Sequence, residues 1–269
     1  MSDKKLILVD ASYTSFYRYF ATLRWMSLSN PDEYKLHKDD KNYDWSQNKV
    51  FINKYEQMYL DSIIKLIKKK TMKDAIVIFC MDAPRNTLWR NKIHETYKEG
   101  RIDLSLKSNF KPTFQYTYDH IIPNIVKNNN MYSLQVPNLE ADDIIACITL
   151  HVKHNIIIIS GDTDFLQLGN ENIQFINYKS KKFLEITSND AIEYLNKKII
   201  LGDKSDNIPG IMTLRKFNTF KSKDILDYIK NDEKLYKLYL YNRSIIDFNY
   251  IPKEYYNKII TEFMKLKLK

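Results

Sequence analysis

The chain has 269 residues, 44% of them hydrophobic, and carries 42 Lys and Arg against 33 Asp and Glu, a formal charge of +9. That apolar content supports a sizeable core, as one large domain or one plus a small one. It excludes membrane spans, because no apolar run nears the roughly 18 residues a span needs. Two cysteines in apolar stretches, Cys80 and Cys147, exclude a disulfide framework and read as buried reduced thiols. "MSDKK" followed by "LILV" is not a signal peptide, so a cytoplasmic protein is expected. Basic proteins often bind nucleic acid, although the Lys-, Asn- and Ile-rich usage of an AT-rich genome produces basicity too.

In chain order, the first element is a continuous apolar run, "KLILVD", closing at Asp10. A polar stretch from about Asn30 to Asn48 reads as a surface insertion. Phe51 to Lys70 has apolar residues at helical spacing and a lysine-rich end, which suits a helix C-terminus. A second apolar run, "AIVIFCMD", closes at Asp82, and a third, "NIIIISGD", at Asp162. Continuous rather than alternating apolar runs indicate buried parallel strands. Strands alternating with helices predict an α/β fold with a largely parallel central sheet flanked by helices. After about Lys197 the chain reads as helical to its end.

Each predicted strand ends in aspartate, and in open α/β sheets ligands bind beyond the carboxyl ends of the strands. Aspartate is also a common turn residue, so the followers decide. "LEADDIIACI" places Glu140, Asp142 and Asp143 ahead of an apolar helix, where the dipole alone would favour acids. Asp164 follows Asp162, and "LGDKSDNIPG" sets Asp203 and Asp206 three apart, the spacing of one helix face. Nine acidic candidates in a chain of charge +9 form a local acidic pocket on a basic protein. Oxygen donors without a His or Cys cluster suit Mg²⁺ or Mn²⁺, and a pair of such ions can hold both oxygens of an in-line phosphoryl displacement. The segment from Ala83 to Arg101 carries Arg85, Arg90, Lys92, Lys98 and Arg101, interleaved with Trp89 and Tyr97. Cations there can contact phosphates and aromatics can stack on unpaired bases; an amphipathic surface helix is the bland alternative.

The motifs Asp10, "FCMD", "EADD", "SGDTDF" and "GDKSDNIPG" occur in one order over most of the chain and resemble the 5′ nuclease (flap endonuclease) family. "WRNKIHETYKEGR" resembles the family's arch signature. "IIDFNYIP" is similar to the C-terminal region of the T-even phage ribonuclease H branch. The resemblance implies a PIN-like core over residues 1–198, with a helical basic arch at about 83–112, and a helical DNA-binding region over 199–269. It implies a 5′→3′ exonuclease and flap endonuclease acting on 5′ ends and flaps of DNA and RNA–DNA duplexes, in replication or repair, by two-metal hydrolysis. Asp82, Glu140 and Asp142 would serve a first Mg²⁺ or Mn²⁺, with Asp143 beside it. Asp162, Asp164, Asp203 and Asp206 would serve a second, and Asp10 would act mainly through water. Arg90, Lys98 and Arg101 would steer the scissile phosphate. By family, a single-strand-binding protein or sliding clamp would be partners, at a replication site that can be a phage's within its host.

One departure touches the C-terminal region. The family commonly continues after "SDNIPG" with a second glycine-rich turn that grips duplex backbone and often K⁺. Here "IMTLRKFNTF" follows Gly210 with no second glycine, leaving K⁺ unsupported and Arg215 and Lys216 to meet phosphates. A zinc site of Cys147, His151 and His154 lacks an evident fourth ligand. An aspartyl-phosphate phosphatase would leave Asp82, Asp203 and Asp206 idle, and Ser12 has no catalytic His. The remaining rivals are a nucleic-acid-binding protein of this fold with lost catalysis and a PIN-type ribonuclease. The first gains nothing from so much negative charge near DNA, and the second lacks the long basic arch.

Overall fold

The computed structural model describes residues 4–99, 109–129, 131–220 and 224–268. In chain order the elements are β1 (Lys5–Asp10), α1 (Ala11–Ser29), α2 (Pro31–His37), α3 (Lys49–Ile67), α4 (Lys69–Lys73), β2 (Ala75–Met81), α5 (Lys111–Tyr116), α6 (Ile122–Asn129), β3 (Tyr132–Gln135), α7 (Ala141–His151), β4 (Ile156–Ile159), β5 (Ile173–Ile176), β6 (Phe183–Glu185), α8 (Ser188–Leu201), α9 (Leu214–Phe217), α10 (Asp224–Lys230), α11 (Glu233–Ile246) and α12 (Lys253–Lys265). The strands form one sheet in the order β3-β2-β1-β4-β5-β6. All pairings are parallel except β5 with β6, so the sheet is largely parallel and the fold is α/β, as expected. β3, β5 and β6 are additional to the three expected strands. They are short, and β3 and β6 are edge strands with little apolar continuity.

Both faces of the sheet are covered, which is why the central strands read as unbroken apolar runs. Successive side chains of a strand point to opposite faces. Leu6 and Leu8 accordingly pack under α7 and α12, with Ile144, Cys147, Ile148, Ile259 and Phe263. Ile7 and Val9 pack against α1 and α3, with Tyr19, Phe51, Tyr55 and Tyr59. A third cluster joins Ala83, Leu88 and Tyr97 to Ile199, Ile200, Ile208, Tyr239 and Ile245, seating the segment after β2 on the C-terminal helices. The expected boundary at residue 198 falls inside α8. The stretch expected as an insertion carries α2, which fully buries no residue, and a 3₁₀ turn that anchors Trp45 in the core. Among the described residues, no helix is long and apolar enough to cross a membrane.

This topology positions the site. From β1 the chain builds outward to β2 and β3 on one side, then returns to β4 and β5 on the other. Strand order therefore reverses between β1 and β4, and ligands of open α/β sheets sit at such a reversal. Register puts Asp10 beside Cys80 and Val9 beside Ile159, so Asp10, Asp82 and Asp162 emerge along one sheet edge.

Candidate active site

A cleft of about 430 Å³ opens at that edge, with Asp10, Asp82, Glu140, Asp142 and Asp162 on its wall. Asp10 closes β1 and caps α1, accepting from the Tyr13 N–H at 2.9 Å; its other oxygen accepts from the Ser160 hydroxyl at 2.7 Å. Asp82 accepts from the Ala141 N–H at 2.6 Å and from the Ser12 hydroxyl, which also contacts the Tyr118 hydroxyl at 2.8 Å. The first turn of α7 is therefore bonded to the end of β2, and the helix dipole faces the carboxylates. Gly161 lets the Tyr13 ring lie against the backbone, since a Cβ there would collide with the Tyr13 hydroxyl and push the ring aside. Burial, then the neighbouring Asp82, pushes the Asp10 carboxyl up to about 7. Burial and Glu140 raise Asp82, and burial and Asp162 raise Asp142 well above the carboxylate range.

Glu140 behaves oppositely. It accepts from Lys98, from Arg90 at 3.1 Å and from the Tyr97 hydroxyl at 3.0 Å. Burial alone would raise its carboxyl, but Lys98 and then Arg90 overcome that and hold it at about 2. Arg90 is only 3% exposed. Its guanidinium also meets Asp143 at 2.8 Å and the Ile245 carbonyl at 3.0 Å, and lies 4.5 Å over the Trp89 ring. Lys98 has a left-handed backbone, φ 61°, which is uncommon outside glycine. The conformation is pinned from both sides: the Lys98 N–H donates to the Asp206 carbonyl at 3.1 Å, and Arg85 donates to the Lys98 carbonyl. The Lys98 ammonium, 4.0 Å from an Asp206 oxygen, thus spans the strand-edge acids and a second group.

That second group is Asp164, Asp203 and Asp206, each with a carboxylate oxygen within 4.8 Å of the others. Asp164 stands in a 3₁₀ turn capped by Asp162, which accepts the Asp164 N–H at 2.9 Å. Asp203 and Asp206 lie in a tight turn after α8, closed by mutual backbone bonds between Asp203 and Ile208 at 2.8 and 2.9 Å. Gly202, at φ 71°, lets the chain leave α8 for this turn. The Lys198 ammonium, on the last turn of α8, bonds Asp164 and lies 2.9 Å from Asp203. Burial raises Asp203 but Lys198 outweighs it and holds the carboxyl at about 2; burial and Asp162 push Asp164 up to about 6. Hard oxygen donors this close, in two adjacent groups, fit a divalent cation such as Mg²⁺ or Mn²⁺.

A family model described as the 5′–3′ exonuclease, N-terminal resolvase-like domain, matches residues 5–196. The chain belongs to the 5′–3′ exonuclease family. Membership makes it an enzyme, a nuclease. It is 27% identical over 246 residues to ribonuclease H of Enterobacteria phage T4, spanning 82% of this chain and 81% of that one. To a 5′–3′ exonuclease of Buchnera aphidicola subsp. Acyrthosiphon pisum it is 31% identical over 202 residues, spanning 70% of this chain and 66% of the relative. In three dimensions it is similar to the phage T5 D15 protein co-crystallised with metal ions, at a TM-score of 0.67 and 16% identity, covering 98% of this chain and 99% of that one. A phage T5 D15 flap endonuclease complex with DNA and metal ions matches at a TM-score of 0.61 and 17% identity. At these identities the two structures speak for the fold alone.

Within this family's fold, several residues stand differently from expectation. Asp143 is fully buried and faces away from the cleft. Its carboxylate accepts from the Glu140 N–H and the Trp89 indole, both at 3.0 Å, and pairs with Arg90, so its bonds hold α7 in place rather than face a cation. Trp89 is 3% and Tyr97 8% exposed, so neither offers a ring face to a base. Arg90 is enclosed by carboxylates and a carbonyl, which makes it a positioning residue for Glu140, not a free phosphate ligand. Asp203 and Asp206 share a turn, not a helix face, because α8 ends at Leu201 and Gly202, at φ 71°, turns the chain out of the helix. The described part of the segment after Asp82 forms 3₁₀ turns (Arg85–Thr87 and Trp89–Lys92), not a long helix.

Arg101 lies outside the described residues. Arg85 is exposed at the cleft mouth, while Lys92 turns toward the Tyr255 hydroxyl at 3.3 Å. Arg215 and Lys216 lie exposed on α9, with Lys216 bonded to the Tyr228 hydroxyl at 2.6 Å. Sequence reasoning missed Ser12, Tyr118, Ser160 and Lys198. Ser160 was within reach, since it stands in the "SGD" stretch already singled out. Tyr118 carries no local signal: it comes from a π-helical turn between α5 and α6 and meets the site only in the fold.

Proposed function

We propose that the chain hydrolyses phosphodiester bonds at 5′ ends and flaps of DNA and of RNA–DNA duplexes, with Mg²⁺, or Mn²⁺ in its place, held by the acidic cleft. The observation that carries this reading is the cleft itself: five carboxylates line one wall and three more cluster beside it, in a chain of net charge +9. Such crowding is unfavourable unless cations offset it, because like charges about 4 Å apart repel by about 4 kcal/mol at an effective dielectric of 20. Asp82, Glu140 and Asp142 would hold one cation, and Asp164, Asp203 and Asp206 another, with Asp162 between them. A divalent ion bound there supplies charge to a phosphodiester's oxygens and lowers the pKa of water.

The protein's own groups do the rest. Asp10, fixed by Tyr13 and Ser160, directs its carboxylate into the cleft. Lys98, anchored through its left-handed backbone, presents an ammonium beside Glu140 that can meet the phosphate undergoing attack. Arg85 at the mouth and Arg215 and Lys216 on α9 would contact backbone phosphates farther along a nucleic acid. The name of the T4 ribonuclease H supports RNA-containing substrates for this chain. Cleavage of two end-labelled substrates in Mg²⁺, a 5′-flap DNA duplex and an RNA–DNA hybrid with a free 5′ RNA end, tests the reading. Short labelled products from either are expected, and the faster substrate identifies the main task. Cleavage of single-stranded RNA alone would replace this reading with that of a PIN-type ribonuclease.

A further inference from the structure

The two acidic groups differ in what neutralises them, and Lys198 stands out. Its ammonium bonds Asp164 and lies 2.9 Å from Asp203, and its side chain is 12% exposed. Those two carboxylates, with Asp206, are the oxygens close enough to share one cation. An ammonium and a divalent ion cannot occupy the same small space between the same oxygens. Lys198 sits at the C-terminal end of α8, next to the turn that carries Asp203, so side-chain rotation alone can withdraw it. The neighbouring Lys197, at the rim of the same pocket, is exposed.

We propose that Lys198 is a displaceable internal counter-ion: it neutralises the Asp164–Asp203–Asp206 group when no cation is bound and must swing out for a divalent ion to enter. Lys198 thereby weakens cation affinity at this group and stabilises the cation-free fold. The inference rests on the reading that the group takes a divalent ion. Its physical basis is the asymmetry of buried ion pairs. Removing one partner strands the charges of the other, and the stranded carboxylates then bind any replacement cation more strongly.

Calorimetric titration of Mn²⁺ into the full chain, without nucleic acid, tests this. Lys198→Met is expected to bind Mn²⁺ at one site about 10-fold tighter than wild type, equivalent to about 1.4 kcal/mol. Lys198→Arg keeps the charge and should stay near wild type, as should Lys197→Met. In EDTA, Lys198→Met should melt below wild type, and saturating Mn²⁺ should close the gap. Folded Lys198→Met with unchanged or weaker Mn²⁺ affinity would overturn the proposal while leaving the nuclease reading intact. If Asp203→Asn leaves Mn²⁺ binding unaltered, the group is not a cation site, and the counter-ion proposal falls together with the second cation of the proposed function.

A second measurement needs no substitution. Amine acylation of the unmutated protein, read by mass spectrometry, should label Lys198 more with Mn²⁺ than with EDTA, because displacement exposes the amine. Equal labelling would overturn the proposal.

Discussion

At the strand edge, Asp10, Asp82 and Asp142 crowd together while the nearest ammonium, Lys98, is bonded to Glu140. At the turn after α8, Asp164 and Asp203 share the Lys198 ammonium directly. The first group is rigid. Its carboxylates come from the ends of β1 and β2 and the start of α7, which bond to one another, and Arg90 and Asp143 lock the helix start from behind. The second is built from a 3₁₀ turn and a tight loop, with a cation on a flexible side chain. Rigid carboxylates only partly offset by Lys98 make a site that waits for a cation, whereas a directly compensated one must exchange a cation. The strand edge should therefore govern the chemistry, and the turn should govern how cation concentration is felt.

The largest expected effect separates the two groups by activity. Asp142→Asn should slow cleavage on the order of 100-fold or more, as loss of a preorganised charge at a reacting centre does. Its stability in EDTA should be unchanged or higher, since one repelling charge is gone. A variant that loses stability and activity together would make Asp142 a structural residue and break the comparison. Next in size is the lock behind the strand edge. Arg90→Met strands Glu140 and Asp143, and a loss of about 3–5 kcal/mol in urea unfolding is expected. A loss under about 1 kcal/mol would mean that the pair is no more than a surface bridge.

A smaller effect belongs to Trp89. Trp89→Phe keeps the ring in the core but leaves the Asp143 oxygen short of a donor, at about 1–3 kcal/mol. Stacking on nucleic acid predicts something else, a loss of binding without a loss of stability, so the two measurements together decide its role. A further effect sharpens the contrast through pH. A carboxyl raised in the folded state binds a proton that the unfolded chain has released, so stability is present below the unfolded value of 3.8 and is lost as pH rises through the folded one, about 7 for Asp10 and about 6 for Asp164. Glu140 and Asp203, held at about 2, are ionised throughout that window and do not oppose the trend. In EDTA the melting temperature should fall between about pH 5 and pH 8, and Mg²⁺ should restore it at the upper end. A flat or rising profile would show that the edge carboxylates are already compensated.

Much of this was legible in the residues. Unbroken apolar runs closing in Asp10, Asp82 and Asp162 marked the buried strands and their shared edge, because burial on both faces leaves no alternation to confuse the pattern. Asp142 and Asp164 could be placed because each follows its strand or helix start by fixed spacing. What was not legible arises from contacts between distant segments. Asp143 looked like Asp142 in sequence. Only the capping bond to Glu140 and the approach of Trp89 and Arg90 from 50 or more residues away separate their roles. Lys198 was one lysine among many until the turn after α8 brought Asp203 to it. Trp89 and Tyr97 fitted a stacking pattern, but the C-terminal helices cover them.

The most direct test of the central claim is single-turnover cleavage of a 5′-labelled flap duplex, with Mg²⁺ and with EDTA, by wild type and Asp82→Asn at equal fractional binding. The account predicts short labelled products from wild type in Mg²⁺, none in EDTA, and a rate for Asp82→Asn lower on the order of 100-fold or more. Cleavage that persists in EDTA, or an Asp82→Asn variant as fast as wild type, would contradict it.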